Sequence, residues 1–235
     1  MLTFDSLVIE QGEFRLTADW SVPAAARVAL LGPSGSGKST LLLALAGFLP
    51  STAGRILWQG RDIEALAPGD RPVSILFQDQ NLFPHLTLAQ NIGLALSPTL
   101  RLAPDQHRAV AEAMERVGLA DMGTRKPGQV SGGQAGRAAL ARVLLRARPV
   151  LLLDEPFSAL GPGLKTEMLE LVAKVATDTG ALVLMVTHDP QDARHFAPLT
   201  ALVDGGLVQP PVATDALFAN PPEVLRRYLG PGTNF

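Results

Sequence analysis

The chain has 235 residues, of which 47% are hydrophobic and 18% charged, and its formal net charge is −2. This length and composition suit one large domain with a buried core and argue against disorder. The charge argues against a broad nucleic-acid-binding face, which is normally basic. The absence of cysteine excludes disulfide and thiolate chemistry. No signal peptide and no apolar run of ~18 residues is evident, so we expect a soluble protein.

Short apolar runs separated by glycine and proline predict strands in the first third of the chain. They are residues 2–9, 14–18, 27–31, 54–58 and 73–77. Residues 40–47 predict a helix that stops at a glycine, as helices often do. From residue 84 to about 148 helical spacing dominates, which predicts an inserted helical segment.

The last third of the chain alternates apolar strands with helices. Strands are predicted at 150–153 and 181–186, with a helix at about 164–179 between them. This alternation indicates a largely parallel sheet with helices on both faces. Residues 199–203 and 207–208 predict a hairpin, and residues 215–229 a closing helix that two prolines interrupt.

Residues 32–39 read Gly-Pro-Ser-Gly-Ser-Gly-Lys-Ser and match the phosphate-binding pattern G-x-x-x-x-G-K-[ST]. In such a loop the backbone N–H groups point at phosphate oxygens, and the following helix adds positive potential. Lys38 is expected to reach the β- and γ-phosphates, and Ser39 to bind Mg²⁺. A flexible Gly/Ser turn is the alternative, which the predicted strand before and helix after the loop disfavour. The expected nucleotide-binding residues here are Gly32, Pro33, Ser34, Gly35, Ser36, Gly37, Lys38, Ser39 and Thr40.

Two carboxylates, Asp154 and Glu155, follow an apolar strand. Ligand sites of open α/β sheets collect at such strand ends. We expect Asp154 to hold Mg²⁺ and Glu155 to activate the water that attacks the γ-phosphate, because metal and nucleophile lie on different sides of the phosphoryl group. A pair of solvated acids is the alternative, and the phosphate-binding loop upstream disfavours it.

Three further motifs lie in a fixed order with these two: Gln78 in Leu-Phe-Gln-Asp, residues 131–134 (Ser-Gly-Gly-Gln), and His188 in Thr-His-Asp. Each alone is commonplace, Gln78 as a surface amide and His188 as a loop imidazole. Together the five motifs resemble the ATP-binding-cassette (ABC) ATPase family over essentially the whole chain. The resemblance implies that Gln78 senses Mg²⁺ and the attacking water, and that His188 contacts the γ-phosphate. Lys38, Gln78, Glu155 and His188 are then the catalytic residues, and Ser39, Gln78 and Asp154 the metal-binding ones.

The segment 131–134 has a physical rationale of its own. A glycine pair at a helix N-terminus exposes N–H groups, and a serine adds a hydroxyl, which together suit a second γ-phosphate site. The resemblance implies that this site, formed by Ser131, Gly132, Gly133 and Gln134, faces ATP held by a second copy of the chain. Two ATP molecules would then lie between two chains in a head-to-tail dimer.

The family resemblance also implies the fold. We predict an α/β P-loop NTPase with a mostly parallel sheet core, an N-terminal antiparallel β subdomain and an inserted helical subdomain. One domain is expected over residues 1–235. Residues 1–83 and 149–235 would form the catalytic core with the β subdomain, and residues 84–148 the helical subdomain.

Residues 71–78 and 81–96 narrow the resemblance to the ATPases of bacterial thiamine importers, although iron(III) and polyamine importers share much of 77–91. The resemblance to such importers implies three kinds of partner: an integral membrane permease, a periplasmic binding protein and a second copy of the ATPase. The two ATPase copies would lie at the cytoplasmic face of the inner membrane. We expect Phe83, Pro84 and His85 to dock a permease helix. The alternative is that these residues simply pack on the helical subdomain.

Two other functional classes are alternatives to a transporter ATPase. A soluble ABC protein acting on nucleic acid or the ribosome usually carries two cassettes or long coiled insertions, and neither is seen here. A non-hydrolysing regulatory cassette is opposed by the presence of Lys38, Asp154, Glu155 and His188, whereas Gly161 is compatible with it.

The chain departs from the family pattern at three places. Ala135 and Gly136 follow the Ser-Gly-Gly-Gln segment where a basic residue is usual, and the D-loop, residues 158–161, ends in Gly161 instead of aspartate. Gly136 inside a helix predicts a softer helix after this segment. The missing aspartate at position 161 predicts weaker cooperativity or slower turnover without loss of binding. No clear aromatic residue stands where the family stacks adenine. Phe14 is the nearest, and we expect it to face the core.

Overall fold

The computed structural model describes residues 1–79, 81–158 and 160–230, so Ala159 of the predicted D-loop lies outside the described residues. The strands are β1 (Leu2–Gln11), β2 (Phe14–Val22), β3 (Arg27–Leu31), β4 (Ala53–Trp58), β5 (Arg61–Asp62), β6 (Val73–Leu76), β7 (Val150–Asp154), β8 (Leu182–Thr187), β9 (Leu199–Asp204), β10 (Leu207–Val208) and β11 (Val212–Ala213). The helices are α1 (Lys38–Ala46), α2 (Leu88–Gly93), α3 (Pro104–Arg116), α4 (Gly132–Leu145), α5 (Pro162–Thr179), α6 (Pro190–Phe196), α7 (Thr214–Ala219) and α8 (Glu223–Leu229).

Strands β1, β2, β4 and β5 pair antiparallel at one end of the sheet. Buried apolar residues alternate with more exposed ones along β1 and β2, so Phe4, Ile9 and Leu16 enter the core while the other face meets solvent. The register of β1 shifts between Phe4 and Leu7, where Ser6 has a φ of 50°. This bulge lets β1 bend while it keeps both of its partners.

Strands β9, β3, β8, β7 and β6 are parallel neighbours in that order. Successive residues of a strand point to opposite faces, and here both faces are covered, which explains the continuous apolar runs. In β3, for example, Val28 and Leu30 belong to one buried cluster, and Ala29 and Leu31 to the cluster on the other face. The predicted fold class is therefore confirmed.

Helices hold this parallel core from both sides. Helix α1 contributes Leu41 and Leu45 to the cluster on one face, while α5 and α6 contribute Val172 and Phe196 to the other. The residues that follow β3, β7 and β8 are thus positioned by a rigid scaffold. Binding and catalytic residues are often found on loops held in this way.

Helices α2, α3 and α4 pack around a third apolar cluster that includes Leu88, Val110 and Met114. Helix α4 also places Leu140 in the cluster beneath the parallel sheet, so it connects the two regions. The limits predicted for the helical subdomain, residues 84–148, stay a prediction.

Several elements of the structure that the sequence pattern did not predict are short. Strands β5 and β11 and helix α6 span two, two and seven residues, too few to show a periodic pattern. The closing helix divides into α7 and α8 on either side of Pro221 and Pro222, as predicted. None of the helices among the described residues is long and apolar enough to cross a membrane.

A buried arginine, Arg71, fastens the end of α1 to the chain that leads into β6. Its guanidinium donates to the carbonyls of Ala44 and Leu45 at 2.6 and 3.0 Å, and also to those of Glu64 and Leu66. The last carbonyls of a helix have no partner within the helix, and a cation there also interacts favourably with the helix dipole. Arg71 therefore stabilises the helix that begins at the phosphate-binding loop.

Replacing Arg71 by methionine should lower the free energy of unfolding by roughly 2–4 kcal/mol, because four carbonyls lose a charged donor. Urea titration of the purified chain would measure this. Arg61→Met is the matched control, since Arg61 is exposed and should change stability by less than about 0.5 kcal/mol. Equal losses in the two variants would contradict the assignment.

Candidate active site

The phosphate-binding loop is shaped by close backbone approaches. A side chain at Gly32 would place its Cβ 2.0 Å from the carbonyl oxygen of Val203, so no other residue fits there. Gly37, at the N-terminus of α1, has a φ of 105°, a conformation that favours glycine. Both constraints keep the backbone of residues 32–37 wrapped at the end of β3, as a phosphate cradle requires.

Two polar side chains of the loop fit an anionic ligand. The Ser36 hydroxyl is buried and has no hydrogen-bond partner among the described residues. Lys38 is 5% exposed, and its Nζ donates to the carbonyls of Gly32 and Pro33 at 2.7 Å each. Burial lowers the pKa of Lys38, and the nearby carboxylates of Glu155 and Asp154 oppose that shift. A phosphate oxygen would give Ser36 a partner and Lys38 a counter-charge.

Ser39 and Asp154 meet where α1 begins and β7 ends. The Ser39 hydroxyl donates to Asp154 Oδ1 at 2.9 Å. Burial raises the pKa of Asp154 above its usual value, and the hydrogen bond from Ser39 only partly offsets this. A carboxylate beside a hydroxyl next to a phosphate cradle is the oxygen-ligand set that Mg²⁺ takes together with substrate phosphates. The structure thus brings together two of the three predicted metal-binding residues.

Glu155 and His188 also meet, at the ends of the adjacent strands β7 and β8. His188 Nδ1 lies 2.9 Å from Glu155 Oε2, and the Glu155 and His188 side chains are 20% and 54% exposed. Glu155 has a φ of 45°, which is unfavourable for a residue with a side chain by about 1–2 kcal/mol. Its N–H donates to the Val186 carbonyl at 3.1 Å, and this bond helps to hold that conformation.

Gln78 lies at the edge of this group, two residues after β6. Its Nε2 donates to Ser158 Oγ at 3.5 Å, and the Ser158 hydroxyl donates to the Glu155 carbonyl at 3.1 Å. The exposed Gln78 amide therefore reaches the candidate site through Ser158. Its predicted contact with a metal ion stays a prediction.

Residues 131–134 are not brought to the cradle within one chain. Ser131 caps α4: its hydroxyl accepts from the Gln134 N–H, and the Gln134 carboxamide accepts from the Ser131 N–H. Gly133 packs against α5, where an added Cβ would lie 2.3 Å from a Leu164 methyl group. The helix N-terminus is thus built as the sequence suggests, at a different place on the surface.

A cavity of about 440 Å³ adjoins the cradle. Its lining consists of Gln11, Phe14, Ser34, Gly35, Gly37, Lys38, Ser39, Thr40 and Glu155. The expectation that Phe14 faces the core was incomplete: its ring packs on the core cluster but also borders this cavity beside Gly37. Sequence reasoning missed Gln11 and the wall position of Phe14, because a single aromatic at the start of a strand carries no distinguishing pattern.

Known proteins resemble this chain in sequence. Residues 17–158 match the family described as ABC transporter. The chain is 64% identical to the thiamine import ATP-binding protein ThiQ of Cereibacter sphaeroides, over 98% of this chain and 100% of that protein. It is 54% identical to the ThiQ protein of a Ruegeria species, with the same coverage.

Solved structures resemble it too. The dimeric post-hydrolysis state of the ATP-binding cassette MJ0796 with ADP and phosphate superposes with a TM-score of 0.79 at 27% identity, covering 91% of this chain and 99% of that chain. A second dimeric structure of the same cassette gives a TM-score of 0.78.

The raised pKa of Asp154 has a measurable consequence for folding. An acid whose pKa is higher in the folded state destabilises the fold progressively as the pH rises above its ordinary value of 3.8, and the effect is complete above the folded-state pKa. Asp154→Asn should therefore raise the melting temperature at neutral pH without nucleotide. The gain should shrink as the pH falls towards 4.

Asp70→Asn is the matched control for this pH series, because Asp70 is exposed in a turn. Melting curves between pH 4 and 8 would compare the two variants. A gain for Asp154→Asn that does not depend on pH, or a loss of stability at neutral pH, would contradict the prediction.

Proposed function

The chain belongs to the ABC transporter family, and from that premise we propose that it is the ATP-hydrolysing subunit of a bacterial importer of thiamine. The observation that carries the proposal is the 64% identity to a thiamine import ATP-binding protein, over 98% of this chain and the whole of that protein. The arrangement of the cradle, the carboxylates and the histidine supports the ATPase activity.

ATP binding is proposed at residues 32–40, and Ser39 and Asp154 are the residues that would hold Mg²⁺. The unpartnered Ser36 hydroxyl and the buried Lys38 ammonium support this assignment, because both groups gain a partner from phosphate. Mg²⁺, when bound, would neutralise charge on the β- and γ-phosphates. Lys38 would exchange its two loop carbonyls for phosphate oxygens.

Glu155 and His188 are proposed to carry out the hydrolytic step. The Glu155 carboxylate would orient the attacking water and accept its proton. With Nδ1 of His188 donating to the Glu155 carboxylate, Nε2 would donate to a γ-phosphate oxygen when the ring carries a proton on both nitrogens. The positive φ of Glu155 supports a functional constraint, since such strain persists mainly where it serves an active site.

A head-to-tail dimer is proposed because the N-terminus of α4 does not border the cavity of its own chain. The dimeric cassettes of similar fold support this arrangement. In such a dimer, residues 131–134 of one copy would complete the phosphate site of the other. Gly161 adds no carboxylate to that contact, which we expect to weaken communication between the two sites.

A permease is proposed to dock at the surface beside β6. Phe48 and Phe83 are 52% and 48% exposed there, and together with Arg142 and Arg146 they line a cavity of about 440 Å³. The loop that carries Phe83 is held in shape by Asn91, whose buried amide bonds to several backbone groups of residues 83–87. Exposed apolar side chains on a preformed loop are typical of an interaction site. A periplasmic binding protein and a place at the cytoplasmic face of the inner membrane complete the proposal.

The ATPase part of the proposal is tested with Glu155→Gln. Loss of the proton acceptor should reduce kcat at least about 100-fold while ATP binding is retained. Glu112→Gln, at an exposed position of α3, is the control and should match the wild type. Wild-type activity no higher than that of Glu155→Gln would refute an ATPase.

The substrate is tested in the assembled importer. The chain would be purified with its membrane permease, reconstituted in proteoliposomes and supplied with the periplasmic binding protein. Thiamine should stimulate ATP hydrolysis and be accumulated, whereas iron(III) and polyamines should have no effect. Stimulation by iron(III) or a polyamine alone would replace the assignment, and recovery of ribosomal or DNA-bound partners would overturn it.

The base of ATP is proposed to rest against Phe14. Phe14→Leu keeps an apolar side chain on the core but removes the aromatic face, so ATP affinity should fall about tenfold. Inorganic tripolyphosphate, which has no base, is the control ligand and should bind both variants equally. Calorimetry would measure both affinities. An equal loss for tripolyphosphate would show that Phe14 acts only by shaping the loop at Gly37.

A further inference from the structure

The backbone that carries His188 forms a short link between β8 and α6, and the residues on both sides of it are fastened. The Thr187 hydroxyl donates to Asp192 Oδ2 at 3.0 Å and accepts from the Asp189 N–H at 3.0 Å. Lys165 of α5 forms ion pairs with Asp189 and Asp192 at 2.7 and 2.8 Å. These contacts hold the residues on either side of His188. None of the four involves the backbone carbonyl of His188 itself.

Tyr228 supplies that contact from the last helix of the chain. Its hydroxyl donates to the backbone carbonyl of His188. The phenol ring of Tyr228 is partly buried and packs against the apolar cluster beneath the parallel sheet. The hydroxyl therefore approaches His188 from a side chain anchored in the core.

The charges around the phenol favour its role as a donor. Burial, together with the carboxylates of Glu155 and Asp189, raises the pKa of Tyr228 above its usual value of 10.0. The hydroxyl thus keeps its proton at neutral pH. The same Glu155 carboxylate contacts the imidazole of His188.

We propose that Tyr228 is a positioning residue for hydrolysis, which acts by holding the His188 peptide so that the imidazole meets Glu155. The His188 side chain is 54% exposed, so the position of its backbone governs where the ring lies. Helix α8 thereby becomes part of the active site, although it lies 40 residues along the chain from His188. The inference rests on the proposed ATPase activity.

Tyr228→Phe removes the hydroxyl and keeps the ring in its apolar surroundings. Loss of one hydrogen bond of ordinary strength should reduce kcat about 3- to 15-fold. The KM for ATP should stay within about twofold of the wild type, because the cradle is untouched. The control is Arg227→Gln. Arg227 lies on the same helix and forms an exposed ion pair with Asp204, so this variant should retain wild-type kcat and KM.

A double-mutant cycle with His188→Ala separates positioning from a general loss of structure. If Tyr228 acts through His188, then Tyr228→Phe should cause no further loss of kcat in the His188→Ala background. The residual activity would be measured in single-turnover assays with the full chain. Melting curves of all four proteins would show that they are folded at the assay temperature.

Each outcome decides the question. Wild-type kcat in Tyr228→Phe, or the same fold-loss with and without His188, overturns the positioning role while the ATPase assignment stands. A higher KM for ATP together with a lower kcat in Tyr228→Phe also overturns the positioning role, because a general distortion of the site would explain both changes. A wild-type chain without activity above Glu155→Gln removes the proposed function, and this inference falls with it.

Discussion

The candidate site depends on the parallel register of three neighbouring strands. Leu31 of β3 pairs with Thr187 of β8, and Val186 of β8 pairs with Asp154 of β7, so all three strands end at one edge of the sheet. The phosphate loop, the two carboxylates and His188 follow directly from these ends. A slip of β3 by one residue would exchange the side chains that it places in the two buried clusters, so the packing of both clusters specifies the register. The core that stabilises the fold therefore also sets the distances in the site.

The edge of the sheet is where this chain departs from favourable local structure. Glu155 is held at a positive φ, Ser36 has a buried hydroxyl without a partner among the described residues, and burial disfavours the charges of Lys38 and Asp154. Each of these features destabilises the isolated chain, and the regular packing elsewhere offsets them. Such concentrations of unfavourable features are expected at functional sites and not in ordinary loops.

Contacts between distant parts of the chain were the hardest to predict. Arg71 caps α1 across more than 20 residues, and Tyr228 reaches His188 across 40, yet neither side chain stands in a pattern that announces its partner. Phe14 was expected in the core alone, whereas the fold also exposes its ring to the cavity beside the cradle. The segment 131–134 was recognised correctly as a helix start, whereas the cap that Ser131 forms is seen only in the structure, where none of these residues lines the cavity beside the cradle.

The sequence by itself determined the features that depend on neighbouring residues. The glycine spacing of residues 32–39, the acid pair after an apolar strand and the alternation of apolar runs with helices all have local physical causes. They predicted a largely parallel α/β sheet, the phosphate-binding loop and the acid pair, whereas Gln78, His188 and the complete fold class came from the family resemblance. Only the tertiary structure decided which side chains meet: Ser39 with Asp154, Glu155 with His188, and Tyr228 with the His188 carbonyl. These pairings follow from strand order and helix packing. Both are properties of the whole core, so no single segment of the sequence determines them.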